Sequence, residues 1–211
     1  MRNIVFSKEK FKEESQLKIG GTILDNAVEI TQSHSIIHRL IPEFLITASV
    51  IAAVLFSGIF LIRACDKSTP QTDLKFAAEA ISVVIICFIV LPYVHEIIHA
   101  LMYPAKAEKT IWKTSNTYFV YCEAEISRKR MVFMLIMPLI ILGLLPFVLW
   151  IIFIQSLSAE LAYIFLIADI YMIFTCLSDI GAIWITLRFV PQDAKVFSYG
   201  AHYYYRKKGR Q

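Results

Sequence analysis

Residues 44–62 read FLITASVIAAVLFSGIFLI, nineteen positions without a charge. A helix rises about 1.5 Å per residue, so about 20 apolar residues cross the hydrocarbon core of a bilayer. A run of this length is the pattern of a membrane span, not of a buried core helix. The rest of the chain repeats it. A second uncharged run covers 131–159, interrupted only by Gly, Pro, Gln and Ser. Two further apolar blocks carry charges: 74–103 holds Glu79, and 161–190 holds Asp169 and Asp179. The pattern predicts four spans, near 42–63, 75–103, 131–155 and 160–188. Of the 211 residues, 57% are hydrophobic, against about 45–50% in a soluble domain. The expected fold class is an all-α membrane protein with four transmembrane helices and a short cytosolic β-hairpin between spans two and three.

Charge predicts the orientation. Lys106, Lys109, Lys113, Arg128, Lys129 and Arg130 crowd the connection between spans two and three, and Arg206, Lys207, Lys208 and Arg210 crowd the C-terminus. The connection at 156–159 has no Lys or Arg, and the one at 64–74 has only Lys67. Positive residues stay inside, which predicts a multi-pass protein of the cell membrane with both termini cytosolic. Residues 1–40, with Lys8, Lys10, Lys12, Lys18 and five acids, do not resemble a cleaved signal peptide. They are expected to form a cytosolic segment, either a partly disordered tail or a short folded piece with a turn at Gly20–Gly21. Residues 41–190 are read as the membrane domain and 191–211 as a basic, aromatic cytosolic tail. The HYYYRKKGR run in that tail fits attraction to anionic lipid. No nucleic-acid motif accompanies it, so nucleic acid is not an expected partner. Cys65, Cys87, Cys122 and Cys176 show no CxxC pairing and are expected to pack as small apolar residues.

The chemistry lies in LPYVHEIIHALMYP, residues 91–104. Polar groups this deep in a bilayer cost roughly 2.5–3.5 kcal/mol each unless a partner receives them. His95-Glu96-Ile97-Ile98-His99 is an H-E-x-x-H motif. On a helix, positions i and i+4 share a face, so both imidazoles can meet one ion. Zinc accepts imidazole nitrogen and keeps a position open for water in catalytic sites. Glu96 is placed beside that face as general base, with zinc-bound water as the nucleophile.

A third ligand is needed. At about 1.5 Å per residue, His95 and His99 lie about 12 Å and about 6 Å from the inner end of span two, and Asp179 lies about 14 Å from that of span four. The depths match, and no Lys or Arg in the spans accounts for Asp179 at that level. Glu123 and Glu125 in the polar connection are the alternatives. Asp169 lies too far out to join without a break in the helix, and pairing with Glu79 is one expectation for it. Pro92, three residues before His95, is expected to kink the helix and open a water pocket. In the connection, Tyr118, Val120, Cys122 and Ala124 alternate with Phe119, Tyr121 and Glu123 after a Ser-Asn turn, a hairpin pattern. Near the mouth of the site, its edge could bind an extended peptide; the plainer reading places its aromatic residues among lipid headgroups.

Residues 75–190 resemble the DUF3267 family of zincin peptidases and, more distantly, the site-2 protease type of intramembrane metalloprotease. HEIIHALMYP carries this resemblance, with looser support from ISRKRMVFMLIMP and SDIGA. The resemblance implies that His95 and His99 are zinc ligands, Glu96 the catalytic acid/base and Asp179 the third ligand. Two departures stand out. Site-2 proteases place an Asp-Gly pair after a proline, whereas Ile180 separates Asp179 from Gly181 here and no proline precedes it. Met102 and Ala105 replace the Gly and His of the extended metzincin motif, which excludes that class. The expected activity is zinc-dependent hydrolysis of a peptide or membrane-protein substrate by a site opening to the cytosol. A non-proteolytic metal-binding membrane protein is the alternative, and Glu96 argues against it because a pure binding site needs no base.

Overall fold

The computed structural model describes residues 4–12, 27–30, 36–66, 74–115, 117–199 and 202–207. The Gly20–Gly21 turn, Asn116, Lys67, Lys208 and Arg210 lie outside the described residues. In chain order come β1 (Ile4–Lys10), β2 (Val28–Glu29), α1 (Ile36–Ala64) and α2 (Leu74–Met102). They are followed by β3 (Lys109–Lys113), β4 (Tyr118–Cys122), β5 (Ile126–Ser127) and α3 (Arg128–Pro138). A π-helical turn at Leu139–Leu144 leads into α4 (Leu145–Phe153). The chain ends in α5 (Ala159–Thr175), α6 (Leu177–Phe189), β6 (Lys195–Tyr199) and β7 (His202–Arg206).

The architecture corrects the all-α, four-helix expectation in two ways. Three segments are helical, long and apolar enough to cross a membrane: Pro42–Ala64, Leu74–Met102 and Arg128–Ser156. The fourth apolar block is a pair of helices, α5 and α6, bent by 40° at Cys176. Moreover, the chain builds two β-sheets where one hairpin was expected. In the first, of order β1-β3-β4, the N-terminal strand runs parallel to β3. The second has the order β2-β7-β6-β5 and joins the N-terminal region, the middle connection and the C-terminal region. The β3–β4 hairpin is present, with Lys113 opposite Tyr118.

Local chemistry accounts for these elements. Ser127 caps α3, its hydroxyl accepting from the Arg130 N–H, and Ser158 caps α5 in the same way through the Leu161 N–H. Pro146 lacks the N–H that would bond one turn back, and the wider π turn ahead of it accommodates that gap. In the C-terminal hairpin, Phe197 stacks on Tyr204 across the strands and Arg206 lies over the Phe197 ring. The positive Arg206 also meets Glu125 at 3.3 Å. The segment read as a basic, aromatic tail therefore forms a hairpin, β6 and β7, over its described residues.

Two cores result. One lies among the helices, where Val54 and Ile62 meet Trp150, Ile154, Ala162 and Leu166; Gly58 leaves space there for the Leu166 side chain. The other ties the sheets to α2, α3 and α6 through Ala100, Tyr103, Val120, Met131, Leu135, Ile185 and Val196. Outward faces of the long helices stay apolar and bare, with Phe44, Phe56, Phe60, Phe88 and Ile89 all exposed. The expected Asp169–Glu79 pairing is not formed. Glu79 meets Lys75 at 3.9 Å on the surface, while Asp169 is buried with neither carboxylate oxygen hydrogen-bonded among the described residues.

Candidate metal centre

Helix α2 continues through Pro92 and presents His95 and His99 one turn apart, ring centroids 4.7 Å from each other. Both are buried. His99 Nδ1 lies 3.1 Å from the Met134 carbonyl of α3. A carbonyl only accepts, so Nδ1 carries the proton and Nε2 is left with a lone pair. That Nε2 is 3.0 Å from Nε2 of His95.

Asp179 arrives from the other side. The break at Cys176 makes it a first-turn residue of α6, where the helix dipole favours a carboxylate. Its Oδ2 lies 2.9 Å from His95 Nε2 and 3.4 Å from His99 Nε2, yet is aligned for a hydrogen bond with neither. Two imidazole nitrogens and a carboxylate oxygen thus converge on a common point.

The donor set fits a metal. Ligands about 2.0–2.1 Å from a tetrahedral zinc stand about 3.3 Å apart, and the three edges here are 2.9, 3.0 and 3.4 Å. A His₂-carboxylate set is also the composition of known catalytic zinc sites, and the Met134 carbonyl fixes one ring as such sites require. Of the alternative ligands, Glu123 is exposed and Glu125 is turned to Arg206; neither joins the cluster.

The three residues and Glu96 line a cavity of about 340 Å³. Thr117, Tyr118 and Phe119 border it from the hairpin, Leu135 from α3, Ser178 and Ala182 from α6, and His202 and Tyr203 from β7. Glu96 lies close to the backbone N–H of Val120 on β4, so it stands between the histidines and the hairpin. Sequence reasoning anticipated the hairpin beside the site but missed β7. The signal was available: VFSYGAHYYY has strand-forming residues on both sides of a two-residue Gly-Ala interval, a hairpin pattern.

Tyr103 is buried directly after α2, and burial pushes its hydroxyl above the usual tyrosine range. Ser198 of β6 accepts from the Cys122 N–H and donates to the Cys122 carbonyl, both at 3.1 Å, tying β4 to the second sheet. Nearer the turn, β4 borders the cavity.

Residues 88–195, just over half of the chain, match the DUF3267 family, described as "Putative zincin peptidase". No curated protein and no solved structure matched. The matched segment contains both histidines, Glu96 and Asp179, and stops short of β7. The chain belongs to the DUF3267 family.

Proposed function

We propose that this member of the DUF3267 family is a membrane-embedded zinc endopeptidase in which His95, His99 and Asp179 hold the metal and Glu96 moves the proton. The observation that carries the reading is the convergence of two Nε2 atoms and Asp179 Oδ2 at 2.9–3.4 Å inside a cavity that Glu96 also lines. A zinc ion held by these three residues would supply a Lewis acid and make water a better nucleophile near neutral pH. Glu96 takes a proton from the attacking water at its carboxylate and returns it to the nitrogen of the leaving amine. Its neighbour His95 cannot share in that transfer while its Nε2 serves the metal. The edge of β4 beside Tyr118 and Phe119 is suited to hold an extended peptide by strand addition, which would lay the scissile bond across the cavity.

The bare apolar faces of α1 and α2 support embedding in lipid, since soluble monomers rarely leave such surface uncovered. Lys106, Lys113, Arg128, Lys129 and Arg130 lie at the end of the molecule that holds the site, which supports a cytosolic opening. The test is metal analysis of the purified wild type and Glu96→Gln, with β-casein hydrolysis in detergent. Both should hold about one zinc per chain, and Glu96→Gln should lose about 10²–10⁴ in turnover. Equal cleavage by the two would reject the peptidase and leave a metal-binding scaffold.

A further inference from the structure

Strand β7 brings a phenol to the metal cavity from outside the family-matched segment. Tyr203 stands opposite Ser198 in the β6–β7 ladder. Successive strand residues face opposite sides, so Tyr203 shares the face of Ser198, toward β4 and the main core. His202 and Tyr204 take the other face, where His202 Nδ1 meets Glu29 Oε1 at 3.0 Å. Burial raises the Tyr203 hydroxyl well above the usual tyrosine range, and nearby Tyr103, Glu96 and Asp179 add to the effect. Tyr203 lines the metal cavity together with Glu96 and Asp179, so it brings a donor to the space those carboxylates share.

Peptide hydrolysis gains from such a donor beside the Lewis acid. As water adds to the carbonyl carbon, the carbonyl oxygen gains negative charge, and both Glu96 and Asp179 repel it. No Lys or Arg lines the cavity among the described residues. Thr117, Ser178 and His202 are exposed at its rim. Tyr118 is turned to Tyr93, their rings 4.2 Å apart. Tyr203 is left.

We propose that Tyr203 is a catalytic residue whose hydroxyl donates a hydrogen bond to the scissile carbonyl oxygen as that oxygen gains charge. The assignment rests on the peptidase reading above. It also gives the C-terminal hairpin a role, completing a site that the helices only begin.

Tyr203→Phe keeps the ring and its packing while removing the donor. In the zinc-loaded full chain, kcat on β-casein should fall about 10²–10³-fold, the usual loss for one such donor. KM should stay within about twofold, since the bond is made in the transition state. Zinc content and thermal unfolding should match wild type. Binding supplies a readout without turnover: N-phosphoryl-leucyl-leucine, a tetrahedral anion, should bind about tenfold more weakly, and planar acetohydroxamate equally well. Unchanged kcat and probe affinity would overturn the assignment, as would loss of zinc, which would make Tyr203 a structural residue. Glu96→Gln separates the two readings. Full turnover in Tyr203→Phe beside an inactive Glu96→Gln overturns only the Tyr203 role, whereas an active Glu96→Gln overturns the peptidase itself.

Discussion

His99 is held in place twice, by the Met134 carbonyl at Nδ1 and by the α2 turn that sets it edge-on to His95. A ring so fixed can offer only Nε2 to an ion, and removing it deletes a ligand without disturbing α2. His99→Ala or His95→Ala should therefore lose most of the zinc, because two ligands rarely hold a four-coordinate ion. Asp179→Asn should lower zinc content as well, since a neutral amide is a poorer ligand than a carboxylate. Glu123→Gln and Glu125→Gln should keep it, one being exposed and the other paired with Arg206. Plasma emission spectrometry on purified variants decides the matter, and full zinc in Asp179→Asn beside loss in Glu125→Gln would move the third ligand to the connection. These residues were legible because i, i+4 spacing is a local rule and depth along a helix is arithmetic. Tyr203 was not, because its place depends on a strand pairing that no local rule reports.

At the scale of elements, Asp179 is delivered by the way α6 lies against α1. Gly181 sits two residues beyond it, and a Cβ there would run into the Glu43 carboxylate of α1. Glu43 is itself buried, so turning its carboxylate aside would disturb the packing around it. Gly181→Ala should cost about 1–3 kcal/mol as overpacking does and, by pushing α6 away, reduce zinc content. Trimming the obstacle in Glu43→Ala/Gly181→Ala should restore zinc toward that of Glu43→Ala alone, a coupling that a double-mutant cycle measures. If Gly181→Ala retains full zinc and stability, the α1–α6 contact does not set the position of Asp179. The long apolar helices and the β3–β4 hairpin were readable because their periodicities are strong and their partners lie close in sequence. The break at Cys176 was not. TCLSD contains neither Pro nor Gly, so nothing local stops the helix there. Strands β1 and β2 escaped for another reason: their partners β3 and β7 lie about a hundred or more positions away, and β2, only two residues long, carries no pattern of its own.

Over the whole molecule, the sheets decide which parts of the chain would share one side of a membrane crossed by the apolar helices. Strand β1 pairs with β3, and β2 pairs with β7. The N-terminal region, the 103–127 connection and the C-terminal hairpin are thereby held at one end, with the metal cavity. Residues 157–158 lie at the other, beyond the helical core of Ile62, Trp150, Ile154 and Ala162, where Trp150 Nε1 donates to the Ala162 carbonyl at 3.1 Å. The end with the sheets carries Lys106, Lys109, Lys113, Arg128, Lys129, Arg130 and Arg206, while residues 154–162 carry no Lys or Arg. The positive-inside rule then predicts that the sheet end faces the cytosol. In a background whose four cysteines are replaced, Ser158→Cys should react with an impermeant maleimide added to intact cells. Lys106→Cys should react only after lysis, because it lies on the exposed turn after α2. Labelling of Lys106→Cys in intact cells, with Ser158→Cys protected until lysis, would invert the molecule. The cavity, β4 and Tyr203 would then face the outside together, since the two sheets bind them into one unit, and the substrate would have to be sought there.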